Sequence, residues 1–91
     1  MKVICKGRGE GKTTDLIKLS AETGVPILRA GNIWYVTDLA EEMGLSIPKP
    51  MSIREAKETR PDRVYIDDVD HVLRWLLGTD VEACTLTPTD D

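Results

Sequence analysis

This sequence has few of the residues that several common types of site require. Among its 91 residues are two cysteines, one histidine and no phenylalanine. Two cysteines do not make a disulfide framework, and no Cys/His cluster has the spacing of a zinc site. Cys5 and Cys84 fall in predicted core strands, so we expect reduced, buried thiols. The single histidine, His71, is predicted to be a surface residue of a helix and not a catalytic base.

Long apolar runs and blocks of basic residues are also lacking. There is no run of about 18 apolar residues and no signal-peptide pattern, which predicts a cytoplasmic protein without membrane contact. The net charge is −4 at pH 7, with 41% hydrophobic and 31% charged residues. This balance is typical of a soluble globular domain with a small core. It does not indicate a broad nucleic-acid surface, although a local basic rim, and with it DNA binding, stays open.

The most informative stretch, residues 6–14, reads KGRGEGKTT. It follows the apolar run Val3-Ile4-Cys5 and precedes a helical pattern, which is the arrangement that a phosphate-binding loop requires. Glycines let backbone N–H groups converge on phosphate oxygens, and the new helix directs its positive end to the same place. We therefore predict a nucleotide-binding loop formed by Gly7, Arg8, Gly9, Glu10, Gly11, Lys12, Thr13 and Thr14.

Individual side chains of this loop have distinct expected roles. Lys12 would place a positive charge on the outer phosphates, and the Thr13 hydroxyl would reach a bound Mg²⁺ ion. Glu10 is expected to point outward, because its charge would repel a phosphate. Arg8 could contact phosphate or turn to solvent, and both alternatives stay open. The usual spacing G-x-x-x-x-G-K-[ST] puts Lys6 where the first glycine belongs, so the loop departs from that pattern.

Strand and helix patterns alternate along the rest of the chain. Strands are expected at about 1–5, 25–29, 51–52, 63–67 and 82–87, and helices at about 12–23, 33–43, 53–59 and 69–77. This order predicts an α/β fold, a single small three-layer α/β/α domain with a mostly parallel sheet of about five strands. The domain would cover residues 1–91, with 87–91 as a flexible polar tail. The carboxyl ends of parallel strands share one edge, where ligands bind in such folds.

A second motif lies at the end of one predicted strand, in the run Val64-Tyr65-Ile66-Asp67-Asp68. Asp67 ends an apolar strand and would hold Mg²⁺. Asp68 has two open interpretations, the N-cap of the next helix or a base that orients water. The aromatic pair Trp34 and Tyr35 is also open between ordinary surface packing and a base-stacking or partner patch.

With these two motifs the chain resembles P-loop NTPases. Residues 66–70, Ile-Asp-Asp-Val-Asp, resemble the Walker B segment D-E-x-x-D of the additional-strand group, and the order of elements is similar to the first half of a superfamily 1 helicase motor domain. The chain also looks like short P-loop ATPase-like proteins of bacteriophages. The resemblance implies a last strand inserted between the first strand and the Walker B strand. It also implies γ-phosphate sensing by Thr85 or Thr87, and Asp68 in place of a catalytic glutamate.

The expected function is binding of ATP, or another NTP, with weak Mg²⁺-dependent hydrolysis in which Lys12 and Asp68 are the catalytic residues. If the chain is phage-encoded, it would act in the host cytoplasm. The alternative is a non-catalytic protein-interaction module, with a homo-oligomer or another protein as its partner. A nucleoside kinase ranks last, because no lid is visible. No arginine finger can be assigned, and the remaining arginines are interpreted as surface charges: Arg29, Arg54, Arg60, Arg63 and Arg74.

Overall fold

The computed structural model describes residues 1–7 and 9–87. Six elements follow one another along these residues. They are α1 (Lys12–Thr23), β1 (Ile27–Arg29), α2 (Trp34–Glu42), α3 (Ile53–Thr59), β2 (Tyr65–Asp67) and α4 (Val69–Leu77). The helices match the four that the sequence predicts. The strands are shorter and fewer than expected.

The two strands pair in parallel and place their carboxyl ends side by side. Ile27 stands opposite Tyr65, Leu28 opposite Ile66, and Arg29 opposite Asp67. On its other side β1 is bridged by Met51, whose N–H donates to the Ile27 carbonyl at 2.8 Å and whose carbonyl accepts from the Arg29 N–H at 3.2 Å. β1 is therefore the centre of the fold, hydrogen-bonded on both sides.

Alternation along β1 divides the core into two clusters. Ile27 packs with Ile17 of α1 and with Val36 and Ala40 of α2. Leu28 points to the other face and packs with Val72 of α4, next to half-buried side chains of α3. Because successive strand residues face opposite sides, one short strand anchors helices above and below it.

Local signals explain why the helices begin and end where they do. Gly24, at φ 77°, ends α1 in the left-handed conformation that glycine adopts without strain, and its N–H donates to the Ser20 carbonyl. At the start of α3, the Ser52 hydroxyl accepts from the Glu55 N–H at 3.1 Å, while the Glu55 carboxylate accepts from the Ser52 N–H at 3.4 Å. Together these two hydrogen bonds form a capping box, which fixes the start of α3.

The predicted five-stranded sheet is wrong, because the described residues form a sheet of two strands and one isolated bridge. Residues 1–5 and 82–87 contain no strand. Met1 and Val3 are more than half exposed and Cys5 is exposed, so these apolar side chains gain little of the roughly 1.5–3 kcal/mol that full burial would give each. Ordering the backbone costs about 1–2 kcal/mol per residue, so the segment has little net gain from joining a sheet.

The loss of these strands changes the environment of both cysteines and of α4. Cys5 and Cys84 are exposed, so the prediction of buried thiols is wrong. In α4 only Val72 is buried, whereas Val69 and Leu76 are exposed. No helix in the described part of the chain has the length and apolar character needed to cross a membrane.

Candidate functional site

The two sequence motifs meet in space although about 55 residues separate them. The Thr13 hydroxyl at the start of α1 lies 3.1 Å from both carboxylate oxygens of Asp67 at the end of β2. Nζ of Lys12 lies 3.5 Å from Oδ1 of Asp68. The lysine and hydroxyl of the glycine-rich loop therefore face the two acids that follow β2.

Asp67 is the buried centre of this arrangement, with a side chain 4% exposed. Besides Thr13, it accepts a hydrogen bond from Nη1 of Arg29 at 2.8 Å. The interpretation of Arg29 as a surface charge is wrong, since its side chain is only 23% exposed and is paired with this carboxylate. Its position follows from the parallel register, which sets Arg29 directly beside Asp67. The sequence of β1 by itself gives no indication that Arg29 pairs with Asp67.

Asp68 has a backbone conformation that is unusual for a residue with a side chain. Its φ is 60° and its ψ is 71°, in the left-handed region. Aspartate tolerates this region better than most residues, and such conformations occur often at functional sites. Asp68 precedes α4, but its side chain makes no capping hydrogen bond and pairs with Lys12 instead. The geometry therefore does not support the interpretation of the Asp68 side chain as the N-cap of α4.

A cavity of about 320 Å³ opens above these residues. Its volume is at the lower end of the range of small-molecule sites. The residues that line it are Gly9, Lys12, Thr13, Arg29, Tyr35, Asp68, Asp70 and His71. Four of them were not among the predicted site residues: Arg29, Tyr35, Asp70 and His71. For Asp70 and His71 the available signal was their place in the first helical turn after β2, at the edge where the loop was expected.

Tyr35 forms one wall of the cavity and supports Arg29. The Arg29 guanidinium carbon lies 4.6 Å from the centre of the Tyr35 ring, which is a cation–π contact. Trp34, its neighbour in the sequence, is not a lining residue of this cavity and is largely exposed. A stacking role for the aromatic pair stays a prediction.

The glycine-rich loop has the conformation that its composition favours, with one unexpected contact. Gly9 and Gly11 have φ of 78° and 86°, where a side chain would introduce strain. The Gly7 N–H donates to Oε2 of Glu10 at 3.1 Å, so the carboxylate folds back onto the loop. Glu10 is nevertheless exposed and does not line the cavity. Arg8 lies outside the described residues.

An ion pair joins the loop to the first turn of α1. Nζ of Lys6 lies 2.6 Å from Oδ2 of Asp15. This hydrogen bond from Lys6 lowers the pKa of Asp15 below its usual value of 3.8. Lys6, which stands where the usual motif has a glycine, therefore ties the loop to the helix that follows it.

Some of the predicted site residues are not at the cavity. Thr14 follows Thr13 in α1 but does not line it. Thr85 and Thr87, the expected sensors, lie in an exposed segment without strand structure and do not line it either. The site in the described residues is therefore formed by the loop, the two strand ends and the first turns of α2 and α4.

The oxygens present suit a hard cation that is shared with a ligand. Residues 1–7 and 9–87 contain no cluster of three or more His, Cys, Asp or Glu side chains able to hold a metal. The Thr13 hydroxyl and the Asp67 carboxylate offer oxygens at one point. Mg²⁺ is commonly held by one or two such protein groups, with phosphates and water completing its shell. These two groups could therefore supply part of the shell of a Mg²⁺ ion, whose other ligands would have to come from a bound molecule and water.

Comparison of this chain with protein-family models, with curated proteins and with solved structures gives no match.

Proposed function

We propose that this protein is a P-loop nucleotide-binding protein that takes ATP, or another nucleoside triphosphate, together with Mg²⁺. The observation that carries the proposal is the meeting of two motifs distant in sequence. The Thr13 hydroxyl lies 3.1 Å from the Asp67 carboxylate, and Nζ of Lys12 lies 3.5 Å from that of Asp68. An ordinary glycine turn before a helix would not require this pairing. A loop that binds phosphate and shares a metal with a strand-end acid does require it.

Each residue has a role that its position supports. The backbone of Gly9 and Gly11 and the start of α1 present N–H groups and a positive helix end to phosphate. Lys12 has a half-exposed ammonium group and can exchange Asp68 for a phosphate oxygen. Thr13 and Asp67 would hold Mg²⁺, which neutralises phosphate charge when bound.

Hydrolysis is the second part of the proposal, and Asp68 carries it. Its carboxylate is partly exposed beside Lys12 and faces a cavity open to water. A carboxylate in this position can orient water for attack on the terminal phosphate. The described residues contain no lid that would close over the cavity, so we expect slow turnover.

Calorimetric titration with ATP and ADP, with and without Mg²⁺, tests nucleotide binding. The informative variant is Lys12→Ala, and the matched control is Lys18→Ala, because Lys18 is exposed on the same helix. Micromolar binding that Lys12→Ala abolishes and Lys18→Ala preserves supports the proposal. Equal binding by Lys12→Ala, or no binding by the unmodified protein at millimolar nucleotide, contradicts it.

The second candidate is a protein-interaction module, favoured by the exposed apolar surface of α4. Trp75 is 71% exposed and Leu77 62% exposed, with Val69 and Leu76 about half exposed. Large apolar side chains exposed along one helix can mark a binding site for a protein. Sedimentation velocity of the purified protein tests a second copy as the partner. Self-association that Trp75→Ser and Leu77→Ser remove, and that Lys12→Ala leaves unchanged, would favour this function over the first.

A further inference from the structure

Arg29 is hydrogen-bonded to Asp67, the carboxylate that would hold the proposed metal ion. Its Nη1 donates to Oδ2 of Asp67 at 2.8 Å, and the Thr13 hydroxyl lies within hydrogen-bond distance of both Asp67 oxygens. The nearly buried carboxylate of Asp67 therefore accepts hydrogen bonds from both the Thr13 hydroxyl and the Arg29 guanidinium. A divalent ion on the same oxygens would stand beside a guanidinium of like charge, which electrostatic repulsion opposes.

One contact besides the Asp67 pair holds the guanidinium beside the cavity. The Tyr35 ring lies 4.6 Å from the guanidinium carbon. The side chain also lines the same cavity as Lys12 and Thr13. Arginine has five donors in a planar fork that matches phosphate oxygens. Arg29 can thus leave Oδ2 of Asp67 and still be within the site where phosphates would lie.

We infer that Arg29 is a phosphate-binding residue that exchanges partners when metal and nucleotide bind, an inference that rests on the proposed function. In the ligand-free protein it neutralises Asp67. In the complex it gives up the carboxylate to Mg²⁺ and donates to phosphate instead. Arg29 and the metal therefore compete for Asp67, while Arg29 and Lys12 act together on the phosphates.

The competition has a consequence that a purely structural role would not have. If Arg29 only stabilised the site, replacing it would weaken metal binding. If it competes, replacing it strengthens metal binding. Couplings between sites typically change affinity by about 5- to 150-fold, so we expect roughly a tenfold effect.

The first arm of the test measures the binding of Mn²⁺ alone, without nucleotide, by electron paramagnetic resonance. Arg29→Gln should bind Mn²⁺ about tenfold more tightly than the unmodified protein. Arg29→Lys keeps the charge and should stay close to the unmodified protein. Arg54→Gln, which removes an exposed arginine of α3, is the matched control and should change nothing. Asp67→Asn should abolish binding in every background.

The second arm is nucleotide affinity at saturating Mn²⁺, where the metal already holds Asp67. Arg29→Gln should then bind ATP about tenfold more weakly, because a phosphate contact is lost. Thermal melts followed by circular dichroism establish that each variant is folded. Unchanged or weaker Mn²⁺ binding by Arg29→Gln overturns the competition, and unchanged ATP affinity at saturating Mn²⁺ overturns the phosphate contact. Failure of the proposed function gives a different result, the absence of ATP binding by the unmodified protein, which the first arm does not depend on.

Discussion

Nζ of Lys12 lies 3.5 Å from Oδ1 of Asp68, so the acid that follows β2 faces the lysine of the glycine-rich loop. Both side chains are 37% exposed. A half-exposed ion pair of this kind contributes about 0–1 kcal/mol to stability, and less in salt. Its stabilising effect is therefore too small to be the main reason for the strained backbone of Asp68, which is more readily explained by a role in the site.

We predict that Asp68→Asn preserves nucleotide binding and removes turnover. The amide keeps the size of the side chain but is a poor acceptor for a proton from water. ATP affinity should stay within about threefold of the unmodified protein, while phosphate release should fall by roughly 10²-fold or more. Calorimetry and a phosphate-release assay measure the two quantities.

Asp62→Asn is the control for this variant, because Asp62 is an exposed acid outside the cavity. It should leave both quantities unchanged. Undiminished phosphate release by Asp68→Asn would show that Asp68 does not act on water.

Glu10 offers a second test of phosphate binding by the loop, because its carboxylate accepts a hydrogen bond from a loop amide. The Gly7 N–H donates to Oε2 of Glu10 at 3.1 Å. A phosphate near this loop would meet a negative charge, so Glu10→Gln should tighten ATP binding severalfold, and more so at low salt. The amide oxygen of glutamine can still accept from Gly7, which separates the effect of charge from that of the hydrogen bond.

The comparison for Glu10 is Glu22→Gln, which removes an equal charge from the exposed carboxyl end of α1. It should change ATP affinity by less than Glu10→Gln at every salt concentration. Weaker ATP binding by Glu10→Gln would instead show that the charge of Glu10 supports the loop.

The Lys6–Asp15 pair predicts a pH-dependent contribution to stability. The hydrogen bond from Lys6 lowers the pKa of Asp15 from 3.8, so folding favours the ionised carboxylate. Its stabilising effect is therefore fully present above the unfolded pKa and is lost as the pH falls through the lower folded pKa. Asp15→Asn should lower the melting temperature at about pH 7 and have a smaller effect near pH 2, because the carboxyl becomes protonated as the pH falls through its folded pKa.

Lys2→Gln provides the control for this measurement. Lys2 is exposed, and it lowers the pKa of Asp15 by less than Lys6 does. High salt should reduce the difference at pH 7, since both partners are partly exposed. An equal loss of melting temperature at both pH values would mean that Asp15 stabilises the helix by some means other than its charge.

The helices could be predicted from the sequence because their signals are local. Gly24 after α1 and Gly78 after α4 have the left-handed conformation, and Ser52 with Glu55 forms a capping box. Each signal acts within one helical turn. The sheet could not be predicted in the same way, since strand pairing depends on residues far apart in the chain. The apolar run Val3-Ile4-Cys5 has a strand composition but finds no strand partner among the described residues.

In the candidate site, too, only the residues that belong to local motifs could be predicted from the sequence. Lys12, Thr13, Asp67 and Asp68 could be proposed from two motifs, and the structure brings them together. Arg29 could not, because its role depends on the register of β1 against β2. A shift by one residue would remove Arg29 from Asp67 and leave every sequence pattern unchanged.

The last prediction concerns the free energy of the Arg29–Asp67 pair. Asp67 is nearly buried, so Arg29→Ala would leave a carboxylate with little compensation beyond the Thr13 hydroxyl. Removing one partner of a buried pair costs roughly 3–5 kcal/mol, a large share of the 5–15 kcal/mol typical of a whole domain. Denaturant unfolding in the presence of an osmolyte keeps the variants in a measurable range.

A double-mutant cycle distinguishes a paired charge from two independent side chains. Arg29→Ala and Asp67→Ala together should destabilise by less than the sum of the two single changes, with a coupling of about 1–3 kcal/mol. The surface change Arg54→Ala should stay within about 0.5 kcal/mol, because Arg54 is 88% exposed. Additive effects of Arg29→Ala and Asp67→Ala would mean that the guanidinium does not neutralise this carboxylate. The metal would then have no bonded competitor at Asp67, and the exchange of partners proposed for Arg29 would be contradicted.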